Sequence, residues 1–137
     1  MEGPNGPVQK ARVVTDIRSG NKASIKDVYP MPRQEDIIAI IFGCKYITIV
    51  DAVAMFFQWR VKTKHHDRLC VISHRGHEYY KVAPMGYCNS PAYVQRIMDN
   101  LLREFREFCR IYIDDIVISS ETLDDHIRHL ISVFSIL

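Results

Sequence analysis

The run Arg110-Ile111-Tyr112-Ile113-Asp114-Asp115-Ile116-Val117-Ile118-Ser119 constrains the fold of this chain more than any other stretch. Apolar, mostly β-branched residues flank two adjacent carboxylates, a pattern that predicts two buried strands joined by a tight turn carrying the acids. Neighbouring carboxylates beside apolar strands raise each other's pKa and lose hydration. A bound divalent cation would remove that difficulty. An ordinary polar turn is the competing reading, because Asp is common in turns. The stretch by itself supports both, and the rest of the chain has to decide.

At 137 residues the chain supports one domain with a core of its own. A hydrophobic fraction of 47% with 25% charged residues belongs to a soluble globular protein and excludes a disordered one. Cys44, Cys70, Cys88 and Cys109 stand far apart with no C-x-x-C pair, which fits reduced intracellular thiols better than a disulfide framework. Residues 1–10 read as a flexible tail, neither signal peptide nor anchor, and the longest apolar run, 37–42, is too short to span a bilayer. Charge is unevenly distributed. Residues 1–100 carry 14 Lys and Arg against 9 Asp and Glu, whereas residues 101–137 carry 4 against 7. A basic body with a local acidic cluster suits a polyanion-binding protein that also holds metal ions, although an unremarkable surface has the same totals.

Along the chain, Ala11–Ile17 alternates as a strand does, and Ser19-Gly20-Asn21 closes it with turn residues. Residues 22–30 are extended, ending at Pro30 and Pro32. A helix follows from Pro32 through Phe42, with Ile37, Ile38, Ile40 and Ile41 as one buried face and Gly43 as its cap. Lys45–Val50 is a strand running straight into Asp51. After a short aromatic-rich segment, Asp67–His74 and His77–Ala83 form a hairpin around Arg75-Gly76. Ser90-Pro91 opens a helix reaching about Phe108, and Thr122-Leu123-Asp124-Asp125 resembles a capping box at the start of a last helix.

That order predicts an α+β domain: an antiparallel sheet of the split βαβ (ferredoxin-like) kind, with helices on one face. Asp51, at the end of one strand, would then lie beside the Asp114-Asp115 turn of a neighbour. Three carboxylates at one sheet edge make a hard-oxygen site suited to Mg²⁺. Two such ions about 3.5–4 Å apart are the usual apparatus of nucleotidyl transfer.

Four ordered blocks then carry a resemblance. Arg12-Val13-Val14-Thr15-Asp16-Ile17-Arg18-Ser19-Gly20-Asn21 with Lys26-Asp27-Val28-Tyr29-Pro30-Met31-Pro32 is the first. Tyr46-Ile47-Thr48-Ile49-Val50-Asp51, with Phe56 and Gln58 downstream, is the second. Residues Pro84 to Gln95 form the third, and Tyr112-Ile113-Asp114-Asp115 the fourth. Together they resemble the fingers–palm core of a reverse transcriptase, an RNA-directed DNA polymerase, of the gypsy-like LTR retrotransposon kind. The resemblance implies a polymerase palm plus part of the fingers over residues 11–137. It implies two Mg²⁺ ions, or Mn²⁺, held by Asp51, Asp114 and Asp115 with the Ala52 carbonyl. Phe56 would be the steric gate against a 2′-hydroxyl. Arg12, Met85 and Gly86 would meet the incoming nucleotide. Arg18 and Gln95 would contact template or pocket, and Tyr112 would pack near the primer end. The implied partners are an RNA or DNA primer–template, dNTPs, and the thumb and RNase H regions of a longer polyprotein, with no membrane. The implied location is the cytoplasm, a virus-like particle or the nucleus. Met55, Met85 and Ile17 depart from the family pattern, which has Gly, an aromatic and Tyr there. The alternative from another class is a catalytically inactive remnant that binds nucleic acid or protein through the sheet.

Other clusters of chemistry-bearing residues have plainer roles. His65, His66, Cys70, His74 and His77 match no usual zinc spacing. His126 and His129 beside Asp124 and Asp125 suggest a solvated helix face. Trp59, Phe56 and Phe57 are candidates for base stacking, with core packing expected for at least one of the phenylalanines. Lys62, Lys64, Arg68, Arg75 and Lys81 would track a phosphate backbone or solvate the hairpin.

Overall fold

The β-branched runs that flank the two acids do form strands. In a computed structural model that describes residues 14–137 and the backbone of two short strands, β1 (Glu2–Gly3) and β2 (Gly6–Pro7), β6 spans Cys109–Tyr112 and β7 spans Asp115–Ser120. Together with β3 (Tyr46–Asp51) they make a three-stranded antiparallel sheet in the order β3-β7-β6. β7 is central and is buried from Ile116 to Ser120. Alternation sends Ile116, Ile118 and Ser120 to one face and Val117 and Ser119 to the other.

The first face holds the core. Ile116 and Ile118 meet their register partners Ile111 and Cys109, with Val94, Met98 and Leu102 of α3 (Ser90–Leu101) and Val133 of α4 (Leu123–Phe134). Full burial of each such side chain is worth about 1.5–3 kcal/mol, so this layer fixes how α3 and α4 sit on the sheet. Across the other face lies α2 (Gln34–Ile41), to which Ser119 Oγ donates at the Ile40 carbonyl, 2.6 Å. α2 is only half-covered: Ile37, Ile40 and Ile41 are half-buried while Ile38 is exposed, narrower than the buried face its sequence predicts. Gly43 stops it as expected, with φ +81 one residue past the Phe42 cap.

The helix expected to reach Phe108 ends at Leu101, followed by a 3₁₀ turn at Arg103–Phe105. Leu102, Phe105 and Phe108 are spaced by three, which satisfies a 3₁₀ repeat as well as an α-helical face. Phe108 then stacks on His129 of α4 at 3.6 Å between centroids. The hairpin is also shorter than predicted, β4 (Cys70–Ser73) with β5 (Gly76–Tyr79), turning at His74-Arg75. Residues 63–68 before it form a 3₁₀ turn, and Val82 after it bridges to Arg60. Near the start, the described residues 14–17 carry no strand, and the expected turn is a helix, α1 (Arg18–Ala23). Asp16 Oδ1 accepts the Arg18 backbone N–H at 3.1 Å, a local bond that favours helix initiation over extension. The flexible tail expected at 1–10 lies, apart from the β1–β2 pairing, outside the described residues.

α4 begins where its cap predicts: Thr122 Oγ1 accepts the Asp125 N–H at 3.2 Å. Its histidines, however, are not a solvated face. His126 is buried, its ring bonded to Thr48 at 2.8 Å and Ser120 at 2.9 Å, and His129 also meets Ser120 at 2.8 Å. Sequence spacing cannot say which side of an amphipathic helix turns inward when polar partners wait there.

Candidate active site

Asp51 closes β3 and Asp115 opens β7, and the antiparallel register makes them direct partners. On its other side Asp115 pairs with Tyr112 of β6, so Asp51, Asp115 and Tyr112 form a row across one end of the sheet. The Ala52 N–H donates to the Asp114 carbonyl at 2.9 Å, extending the ladder by one bond into the turn. All three acids are exposed. The topology predicted from the sequence has thus brought Asp51 beside the Asp114-Asp115 turn.

The turn itself is strained. Ile113 sits at φ +57, a left-handed conformation that costs a β-branched residue about 1–2 kcal/mol. What holds it is Gln95. The Gln95 Oε1 accepts the Ile113 N–H at 2.8 Å, and its Nε2 donates to the Ile111 carbonyl at 2.9 Å and to Asp99 Oδ1 at 3.0 Å. Gln95 is 0% exposed, so the template or pocket contact expected for it gives way to an internal role: its amide is spent on the backbone of the acid turn. Asp99 in turn accepts from Tyr29 Oη at 2.8 Å, and that bond, with burial, pushes the Tyr29 phenol up from its ordinary value. A continuous path therefore runs Tyr29–Asp99–Gln95–Ile113. Sequence reading missed it; the i, i+4 spacing of Gln95 and Asp99 on one helix was the only signal available.

Among the described residues no three His, Cys, Asp or Glu side chains converge into a ready-made metal cage. Mg²⁺ does not require one, since it keeps several waters and is held by one or two carboxylates with substrate phosphates. The three ion pairs among the described residues are Arg18–Asp16, Arg96–Asp27 and Arg128–Asp125, and none involves the row of acids. Hard oxygen donors with no internal cation fit a divalent ion arriving from solution. His66 by contrast is engaged, with Nε2 at 3.1 Å from the Val61 carbonyl and its ring stacked on Tyr79.

The remaining candidates separate into two groups. Phe56 packs half-buried against the core from a 3₁₀ turn, Met55–Gln58, entered through Ala54 at φ +53. Met55, where the family pattern has Gly, is a core residue, 5% exposed; Phe57 is exposed. Gly86 sits at φ +88, with Met85 half-buried beside it, in the loop leading into α3. A cleft of about 340 Å³ joins Gly86 to Thr15, Asp16, Arg18 and Asn21. Arg18 lines it while paired to Asp16 at 2.6 Å, a contact that holds the Asp16 carboxyl below its usual range. Arg12 lies outside the described residues. α3 links both groups, carrying the Gly86 loop at its N-terminal end and Gln95 behind the acids.

No helix among the described residues is long and apolar enough to cross a membrane. Residues 3–137 match the family model for reverse transcriptase (RNA-dependent DNA polymerase). The chain is similar to a retrovirus-related Pol polyprotein from transposon 297 of Drosophila melanogaster, 35% identical over 92% of this chain and 12% of the relative. It is also similar to an enzymatic polyprotein of cauliflower mosaic virus, 33% identical over 94% of this chain and 19% of the relative. Among solved structures it resembles the native prototype foamy virus protease–reverse transcriptase, with TM-score 0.81 and 27% identity, covering 100% of this chain and 18% of the other. A foamy viral protease–reverse transcriptase in complex with double-stranded DNA matches with TM-score 0.83 and 25% identity, covering 92% of this chain and 22% of the other. The chain thus spans less than a fifth of those two polyproteins. A family model covering nearly the whole chain, over a sheet that aligns Asp51 with the Asp114-Asp115 turn, shows that the chain belongs to the reverse transcriptase family.

Proposed function

We propose that this chain is the catalytic core of an RNA-directed DNA polymerase, adding dNTPs to a primer 3′-hydroxyl on an RNA or DNA template. The observation that carries the reading is the register that pairs Asp51 with Asp115 and bonds Ala52 to Asp114. Asp51 and Asp114 would hold two Mg²⁺ ions, or Mn²⁺, with Asp115 as supporting carboxylate and the Ala52 carbonyl as a further oxygen. Bound there, the ions would activate the attacking 3′-hydroxyl and neutralise the leaving pyrophosphate. Gln95 keeps the acid-bearing backbone in place while the charge around it changes. Phe56, fixed by its core contacts, would block a ribose 2′-hydroxyl. Gly86 and Met85 would line the nucleotide, with Arg12 on its triphosphate. Arg18 would meet the template, and Tyr112, 42% exposed beside Asp115, the primer end. We assign residues 11–137 to part of the fingers and the palm of a longer retrotransposon Pol polyprotein of gypsy-like kind, working inside the cell.

Primer extension on poly(rA)–oligo(dT) with Mg²⁺ tests this, with Asp114→Asn as the control. Extension by the chain and its loss in the variant is the expected result. Equal signals from both proteins, or none from either, would remove the enzyme reading and leave the binding remnant.

A further inference from the structure

Two asparagines, far apart in sequence, read each other's backbone. Asn21 of α1 donates through Nδ2 to the Gly86 carbonyl at 2.8 Å and accepts the Cys88 N–H through Oδ1 at 3.0 Å. Asn89 does the reverse: its Nδ2 donates to the Ile25 carbonyl at 2.8 Å and its Oδ1 accepts the Asp27 N–H at 3.1 Å. Each primary amide stands in for a strand residue, offering one donor and one acceptor to the opposite segment. Turning either amide over would set donor against donor and acceptor against acceptor, so both orientations are fixed by their partners.

The loop has little else to hold it. Its own bonds are Tyr87 N–H to the Pro84 carbonyl at 3.5 Å, long for a hydrogen bond, Ser90 N–H to the Tyr87 carbonyl at 3.2 Å, and a weak thiol bond from Cys88 Sγ to Asn89 Oδ1 at 3.4 Å. Gly86, at φ +88, takes a left-handed conformation that glycine reaches without steric cost, so its own backbone does little to hold the loop in one shape. Asn89 holds no helix cap, although it occupies the N-cap position of α3; its side chain is committed across the seam instead. Further along α3, Arg96 pairs with Asp27 and lies over the Tyr29 ring, so the segment from Ile25 to Tyr29 is fastened to the same helix that carries the loop.

We infer that Asn21 and Asn89 form a reciprocal amide clamp that sets the Gly86 loop against the α1 segment, and that Asn21 is a positioning residue for the nucleotide pocket. The positioning role rests on the reading of Gly86 as a pocket residue; the clamp itself does not. Asn21→Ala removes both bonds to the loop. Asn21→Asp keeps the acceptor for Cys88 N–H but sets a carboxylate against the Gly86 carbonyl.

Amide hydrogen exchange of the whole chain tests the clamp without reference to activity. Asn21→Ala should speed exchange of the Cys88 amide by about tenfold, the loss of roughly one hydrogen bond. Asn21→Asp should leave that amide slow, and the β3–β7 ladder should be unchanged in both. In primer extension, both variants should raise KM for dTTP by about tenfold, with kcat within about threefold and primer–template Kd within about twofold. Unchanged Cys88 exchange in Asn21→Ala overturns the clamp. A fall in kcat or melting temperature with KM unmoved overturns the positioning role. Faster Cys88 exchange in a chain that extends no primer would keep the clamp and sink the polymerase reading.

Discussion

Gln95 is the residue whose replacement should be felt most directly at the acids. It is 0% exposed, and its amide satisfies the Ile113 N–H, the Ile111 carbonyl and Asp99. Gln95→Leu keeps the volume nearly constant, so no cavity term arises. It strands two backbone groups, each worth about 1–3 kcal/mol when buried without a partner. Ile113 is half-buried and can recover part of its loss from water. The net cost should be about 2–4 kcal/mol, read as a shift of the urea midpoint at constant m. Gln95→Glu is the sharper test. It retains the acceptor for Ile113 N–H but places a carboxylate where Nε2 now donates to Asp99. Burial and the Asp99 charge would lift the new carboxyl above its unfolded value near about 4.3. A folded-state pKa raised in this way favours folding below the unfolded value and loses that support as pH rises. Gln95→Glu should therefore approach the parent chain below about pH 4 and fall behind it by several kcal/mol at neutral pH. Equal stability of the two proteins at neutral pH, or a Gln95→Leu cost under about 0.5 kcal/mol, would refute the view that this amide supports the turn.

Gly43→Ala and Gly86→Ala should each cost about 1–2 kcal/mol in urea unfolding, because φ is +81 and +88. A new Cβ meets nothing within 4 Å at Gly43 and only Ile17 Cγ1 at 4.0 Å at Gly86, so a much larger loss at Gly86 would show that the loop lacks the room seen here. Thr122→Ala should cost about 1 kcal/mol as a lost helix cap. The Thr122 hydroxyl, then Arg128, holds the Asp125 carboxyl below its ordinary 3.8. Its stabilisation is therefore present above that value and disappears as pH falls through the lower folded one. An NMR titration of Thr122→Ala should find Asp125 shifted upward. Burial pushes the Cys109 thiol up to about 11, so iodoacetamide at pH 8 should label Cys44, Cys70 and Cys88 before it. Early modification of Cys109 would contradict its burial.

The acid turn and its two strands were legible because their signal is dense: β-branched residues on both sides of a short polar break leave few alternatives. Gly43 and Thr122 were legible for a similar reason, since a left-handed position and a helix cap each admit few residue types. The end of α3 was not, because aromatic residues three apart serve a 3₁₀ turn as well as a helix. α1 was hidden by Gly20 and by an alternation too short to separate strand from coil. Gln95, Asn21 and Asn89 were least legible of all. A polar amide gives the same sequence signal whether it faces water or holds buried backbone, and the partners of Asn21 lie 65 and 67 residues away. Family resemblance drew attention to Gln95 but assigned it outward.

The kind of group that supports the turn bears on what the turn can do. A lysine or arginine behind Ile113 could donate to the Ile111 carbonyl but offers no acceptor for the Ile113 N–H, and it would add a positive charge beside acids that otherwise have no internal cation among the described residues. At a separation of about 4 Å in a medium of effective dielectric near 20, one such charge is worth about 4 kcal/mol to a carboxylate. That energy would oppose any divalent ion seeking the same oxygens. A neutral amide separates the two tasks: it fixes the backbone and leaves the negative potential at the sheet edge to whatever binds there. The one charged group in the path, Asp99, carries the same sign as the acids and lies behind Gln95, tied to Tyr29. The groups bonded directly behind the turn, Gln95 and then Asp99, are thus neutral or negative, and the nearby cation over the Tyr29 ring, Arg96, is paired with Asp27, which is the arrangement expected where the missing positive charge is to come from outside the chain.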